Sequence, residues 1–278
     1  MFYKKALCLL MIISLLLSFS CCSKKIKSDE NTTSDASITE TAANTVMVTF
    51  PEGYTVRQIA DKLEENGVCS ADEFILEQNN TEYLDMFGIE IPNPENRYYL
   101  LEGYLYPDTY EFYIGESVSS VLKRFLRNFN EKYTDEMKAK CEEMGYTFDE
   151  MLTLASIIHG EAGTKENNAL VSSVIHNRLN DNPNYKLQCD STTFYLRRNI
   201  KEYVSEDEYK KYVEVYSTYD MGGIPEGPIN NCSVDDFNAA LNPEETDYYY
   251  FVTDGEGNFY YSETYDEHLS NCTKAGIY

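Results

Sequence analysis

Apolar residues run along this chain in three patterns, and each predicts a different element. The first is a continuous run, Ala6–Phe19, behind Met-Phe-Tyr-Lys-Lys. A basic start followed by a short apolar run is the pattern of an export signal, and it falls short of the ~20 residues a full membrane span needs. Residues 23–45 then hold no aromatic and almost no large aliphatic side chain. Such a stretch buries too little surface to fold and predicts a disordered tether, with a mean reach of roughly 25–30 Å. Order is predicted to begin at Val46. Val46–Phe50 reads as a strand and Pro51-Glu52-Gly53 as a turn. Thr55 caps a helix that carries Val56, Ile59, Ala60 and Leu63 on one face and stops by Gly67. Ser70 caps a second helix with Phe74 and Ile75.

Helical spacing dominates the middle of the chain. It predicts helices over 118–133, with Val121, Leu122, Phe125, Leu126 and Phe129 in register, and over 134–144, 148–162 and 165–180. Residues 181–213 read as loop and short helix, 222–231 as a Gly/Pro-rich stretch, and 234–241 as a short helix. The stretch TDYYYFVTDGEGNFYYSET alternates around Asp254-Gly255-Glu256-Gly257, which is a hairpin signal. The fold class is therefore α+β. The expected organisation is an anchor segment at 1–22, a tether at 23–45, a small βα module at 46–98 and a mainly helical domain at 99–278, closed by the hairpin.

Composition narrows the function classes. With 42% hydrophobic residues among 278, the chain can build a core. A formal net charge of −24 repels nucleic acid backbones and argues against a nucleic-acid partner. The aromatics are 25 Tyr and 13 Phe with no Trp. A tyrosine offers an apolar ring and a polar tip, which suits carbohydrate, although most tyrosines in any protein fill cores and strands. The eight cysteines show no metal-ligand spacing, and no metal or organic cofactor is indicated.

The most informative helix is 148–162. Met151, Leu152, Leu154, Ala155, Ile157, Ile158 and Ala162 form a wide apolar stripe, with Asp149, Thr153, Ser156 and Gly160 opposite. Glu161 falls inside the stripe, between Leu154 and Ile157. Desolvation there raises a carboxyl pKa and keeps it protonated, as a general acid requires. The competing reading is a last-turn glutamate whose stem reaches water, and periodicity does not choose between them.

Six segments resemble one family in its own order. LASIIHGEA at 154–162 is similar to the catalytic helix of the endolytic murein transglycosylases, the MltG or YceG-like family. LEGYLYPDTY at 101–110, VSSVIHNRL at 171–179, LQCDSTTFY at 187–195, YSTYDMGGIPEGPINN at 216–231 and ALNPEETDYYYFVTDGEGNFYYSETYDEH at 240–268 resemble its other segments. The front βα stretch resembles a LysM-like module, which would bind N-acetylglucosamine polymers; on pattern alone a plain βα packing unit fits as well. Cys21-Cys22 after the apolar run resembles a lipoprotein cleavage site, with Ser18 and Phe19 as departures. A lipid anchor, an uncleaved membrane anchor or full release all place the body outside the cytoplasm.

The resemblance implies cleavage of the bond between N-acetylmuramic acid and N-acetylglucosamine in peptidoglycan glycan strands, leaving a 1,6-anhydro end. It implies Glu161 as acid and then base. It also implies a partnership with the cell-wall synthesis machinery. The family commonly carries a second glutamate where this chain has His159; a catalytic role for His159 is the minor alternative. Substrate-contact candidates are Gln188, Asp190, Tyr219, Asn177, Glu102 and Asn230, each with a scaffolding role as its competitor. Ser191 stands where the family usually has proline. Cys189 and Cys232 fall in segments expected to flank one cleft, and a disulfide between them is an expectation. The competing classes are a catalytically silent glycan-binding lipoprotein and a surface scaffold.

Overall fold

The computed structural model describes residues 44–277. The anchor segment 1–22 and all but the last two residues of the tether lie outside the described residues. The first strand, β1 (Thr45–Thr49), begins one residue earlier than expected. It pairs antiparallel with β2 (Thr109–Tyr113), Thr45 opposite Tyr113 and Thr49 opposite Thr109. The alternation puts Val48, Tyr110 and Phe112 inward. β2 lies past residue 98, so the strand that completes the front unit comes from the segment after it.

Three helices fill the interval. α1 (Val56–Glu65) opens with a capping box between Thr55 and Gln58 and buries Val56, Ile59, Ala60 and Leu63. α2 (Ala71–Glu77) is capped by Ser70. α3 (Glu82–Phe87) ends on left-handed Gly88. α4 (Val118–Lys132) lays its apolar face on the β1–β2 pair. Its Phe125 ring sits 4.5 Å from Tyr110 and 5.1 Å from Phe50, centroid to centroid. Farther along, Phe129, Tyr133, Phe148 and Phe237 interlock edge to face and tilted.

α5 (Asp135–Glu143) leads into α6 (Phe148–Ala162), which α5, α7 (Asn168–Asp181), α8 (Asp190–Tyr195) and α10 (Val234–Leu241) surround. On the polar side of α6, Asp149, Thr153 and Ser156 are all buried. Their polarity serves the interior. Thr153 Oγ1 donates to Asp149 O at 2.9 Å, Ser156 Oγ donates to Thr153 O at 2.7 Å, and Ile229 N donates to Ser156 Oγ at 3.0 Å. Asp149 accepts from Tyr104 Oη at 2.6 Å and is ion-paired with Arg97, whose Nε donates to Glu226 O at 2.9 Å. The 225–228 loop is thereby pinned beside α6.

A π turn at Leu196–Ile200 and α9 (Glu206–Tyr216) follow α8. β3 (Tyr250–Thr253) and β4 (Phe259–Ser262) pair antiparallel, with Asp254 accepting the Glu256 and Asn258 N–H groups between them. α11 (Tyr265–Lys274) starts on a capping box, Thr264 with Glu267. None of the described helices is long and apolar enough to cross a membrane. The five described cysteines, Cys69, Cys141, Cys189, Cys232 and Cys272, are free thiols. The expected Cys189–Cys232 pairing is not formed: Cys189 Sγ turns to Leu187 O at 3.6 Å, and Cys232 lies beside Asp236 and Tyr133.

Candidate active site

Glu161 sits in the last turn of α6, half-buried, next to exposed Gly160. Its Oε1 accepts the Ser191 N–H at 2.8 Å. That N–H belongs to the first turn of α8, where helical geometry leaves donors without an internal partner. α8 comes this close because residue 160 is glycine: a Cβ there would lie 2.7 Å from Ser191 Cβ. Burial raises the Glu161 carboxyl above the ordinary carboxylate range, and the Asp190 charge adds to this; the Ser191 donor and the Arg178 guanidinium oppose it. The result is a carboxyl biased toward its protonated form at the edge of the surface.

The segment before α8 is clamped to the segment after α9. Gln188 N donates to Thr218 O at 3.0 Å and Cys189 N donates to Thr218 Oγ1 at 2.8 Å. Between these bonds Gln188 adopts φ 55°, the left-handed region, and is the one non-glycine residue found there among the described residues. Its side chain is exposed beside Asp190. Tyr219, 43% exposed, donates its hydroxyl to Asp190 Oδ1 at 2.9 Å. Asp190 and Tyr219 thus stand beside Glu161, and Gln188 lies two residues before Asp190 in the clamped segment.

The other candidates are placed differently. Asn230 is buried and donates its amide to Ser156 O at 2.8 Å, which leaves its Oδ1 without a partner behind α6. Asn177 donates to Thr246 O at 2.7 Å and Tyr248 O at 3.0 Å, so its amide holds the segment preceding β3. Glu102 is wholly buried and touches no surface. It accepts Val56 N at 3.0 Å and Asn231 Nδ2 at 2.9 Å, and burial pushes it up to about 8 against those donors. Glu102 thus ties Asn231 to the first turn of α1.

One residue that ties the site's surroundings together was not legible from sequence. Asn231 donates to Tyr54 O and Glu102, and accepts from Leu105 N at 2.8 Å and, through its own carbonyl, from Gly53 N at 2.8 Å. It joins the front unit to α6's surroundings. Arg178, buried, donates from Nη1 to Leu187 O at 2.6 Å and from Nε to Tyr249 O at 2.7 Å.

His159, two residues before Glu161 on α6, donates Nδ1 to Asp236 Oδ2 at 3.1 Å and packs on Gly53, where a Cβ would lie 2.2 Å from its Nε2. Burial would raise Asp236, but His159 and Ser233 outweigh it and hold the carboxyl below its ordinary value. Glu52, His159 and Asp236 present ligand atoms within 4.8 Å of one another. Asp236 Oδ2 already accepts from Ser233 N and Oγ, and Lys165 Nζ reaches Glu52 at 3.1 Å and Asp235 at 2.7 Å. The positive charge such a cluster wants is supplied by lysine.

Cavities of about 400, 470 and 320 Å³ lie beside α7, beside β2 and α4, and beside α11, and Glu161 lines none of them. Its partners instead open onto the surface. Fold and site together define a class: α+β proteins that hold one desolvated carboxyl at the end of a core helix, under a clamped, tyrosine-bearing loop. A sequence profile of the YceG-like family matches residues 25–274. The chain belongs to the YceG-like family. It is 31% identical over 232 residues to the endolytic murein transglycosylase of Bacillus subtilis (strain 168), covering 80% of this chain and 62% of that protein. It is 27% identical over 246 residues to the endolytic murein transglycosylase of Streptococcus pneumoniae serotype 2, covering 81% of this chain and 43% of that protein. The chain thus spans less than two thirds of these relatives. The crystal structure of a YceG-like protein from Listeria monocytogenes superposes with a TM-score of 0.68 at 27% identity, over 81% of this chain and 75% of that one.

Proposed function

We propose that this protein is a lytic transglycosylase that cuts peptidoglycan glycan strands internally. The observation that carries the reading is Glu161: a desolvated carboxyl, raised above its ordinary range, at the end of a helix whose sequence matches the family's catalytic one. The relatives' names supply the substrate class.

The chemistry suits one carboxylic acid. Glu161 in its protonated form donates to the glycosidic oxygen, and the C1–O4 bond breaks. The sugar's own C6 hydroxyl closes on C1, and its proton returns to the Glu161 carboxylate. No water is consumed, and the residue ends as it began. Hydrolytic glycosidases need a second carboxylate to activate water or attack C1; here the nucleophile is tethered to the sugar, and proximity replaces it. The Ser191 N–H at 2.8 Å stabilises the carboxylate formed between the two steps. Gln188, Asp190 and Tyr219 are assigned to holding the strand beside Glu161.

The front unit is read as LysM-like, holding N-acetylglucosamine polymer, with the N-terminal segment as a membrane anchor. The test is digestion of purified glycan strands. Wild type releases strands with anhydro-muramyl ends, and Glu161→Gln lowers the rate by roughly 10²–10⁴-fold, the usual share of a general acid. Free reducing ends instead of anhydro ends would move the reaction to hydrolysis, with Asp190 as the second carboxylate. No cleavage by wild type would leave a glycan-binding protein.

A further inference from the structure

The reaction as proposed uses nothing beyond Tyr219, yet a row of aromatic rings continues away from it on the far side of Arg178. The Arg178 guanidinium carbon lies 5.7 Å from the Tyr185 ring centroid and 5.7 Å from that of Tyr250. Tyr250 stacks on His268 at 5.3 Å and 25°. Tyr265 follows, 5.9 Å from Tyr250 and 6.2 Å from His268. Tyr265 is 58% exposed, and Tyr185, Tyr250 and His268 are half-buried. The rings come from three separate places: the loop before α8, β3, and the first turn of α11.

We propose that Tyr185, Tyr250 and Tyr265 form an extended glycan subsite that holds the strand beyond the sugars flanking the cleaved bond. This rests on the glycan reading of the Glu161 site. Three features favour that occupant. Aromatic faces pack against the C–H faces of sugar rings, and tyrosine adds a hydroxyl for the sugar's own hydroxyls. A nucleic acid would also stack on such rings, but it needs a cationic groove along its backbone. Arg178, the cation at the centre of this row, is buried, and the protein carries a net charge of −24. Finally, the row is continuous with the cleft. Arg178 bonds the carbonyl of Leu187, the residue before Gln188, and lies close enough to Glu161 to pull its pKa down.

A polymer-length subsite makes a prediction that a local role does not. Binding is measured with the Glu161→Gln protein, which holds strands without cutting them, using a tetrasaccharide and long glycan strands stripped of peptide. Adding Tyr265→Ala, at an exposed ring, is expected to weaken long-strand binding roughly five- to tenfold. The tetrasaccharide constant is expected to change less than about twofold on the same scale. Tyr265→Phe retains most of the affinity, and Tyr185→Ala repeats the Tyr265→Ala result. Equal weakening for both lengths, or unchanged long-strand binding, overturns the proposal. The glycan-cleavage reading stands or falls separately, on whether wild type releases anhydro ends.

Discussion

Glu161 shows how much of a residue's chemistry is set by what the fold brings beside it. Its position on the apolar stripe was visible in the helical period, but an apolar stripe alone does not distinguish a catalytic acid from a solvated last-turn side chain. The neighbours that set its environment, Ser191 and Asp190, lie 30 and 29 residues away and arrive only because Gly160 lets α8 approach. Asp190 raises the Glu161 pKa by like-charge repulsion, so Asp190→Asn lowers it. In the proposed reaction the acid form is the active one, so activity is lost as pH rises through that pKa. The alkaline limb of the Asp190→Asn pH–rate profile is therefore expected at lower pH than in wild type, read from strand cleavage across pH. Asn keeps an acceptor for Tyr219, which limits the change to charge. Glu102 is the opposite lesson. It looked like Asp190 in sequence, a carboxylate in a matched segment, and the structure makes it a buried tie.

Among the elements, those with a long apolar period were legible to within a residue or two: α4, α6 and α10 lie where the spacing predicts them. β2 was not, because five residues in a tyrosine-rich stretch carry no turn signal of their own and pair with a strand 60 residues earlier. α11 was missed although Thr264 and Glu267 spell a capping box, since its apolar face is thin. The tie between elements also has a pH signature. Glu102 caps the first turn of α1, and burial holds its carboxyl near about 8, above the ordinary 4.5. A raised carboxyl means the folded state binds the proton more tightly than the unfolded one. Its contribution is complete below about 4.5 and is lost as pH rises to about 8. Glu102→Gln cannot ionise. Denaturant melts across this window should show the variant gaining stability relative to wild type as pH rises.

At the scale of the whole molecule, the formal charge of −24 is the property most plainly legible from composition, and it bears on encounter rather than on fold. A body this acidic repels any anionic group carried by its strand, and the Debye length falls to about 10 Å at 0.1 M salt. Strand cleavage at limiting substrate is expected to hold or rise as sodium chloride increases from low to physiological levels. A cation-driven binder would slow over the same range. What composition did not reveal is how the front unit is joined to the rest. Thr55 Oγ1 meets Asn199 at 2.8 Å, and Tyr54 bridges to Asn231. Neither residue pair has any periodic relation in sequence.

The Tyr54–Asn231 bridge closes 177 residues of chain, and it bears on the order in which the molecule can be made. Contacts between distant residues form only after the intervening chain has been ordered, and they slow folding accordingly. As the chain is made, β1 waits for β2, and the turn after β1 waits for a residue 177 positions beyond Tyr54. The front unit is made well before the residue that secures it. A chain interrupted before Asn231 would leave Glu102 and the turn ahead of α1, at Gly53 and Tyr54, without their shared partner.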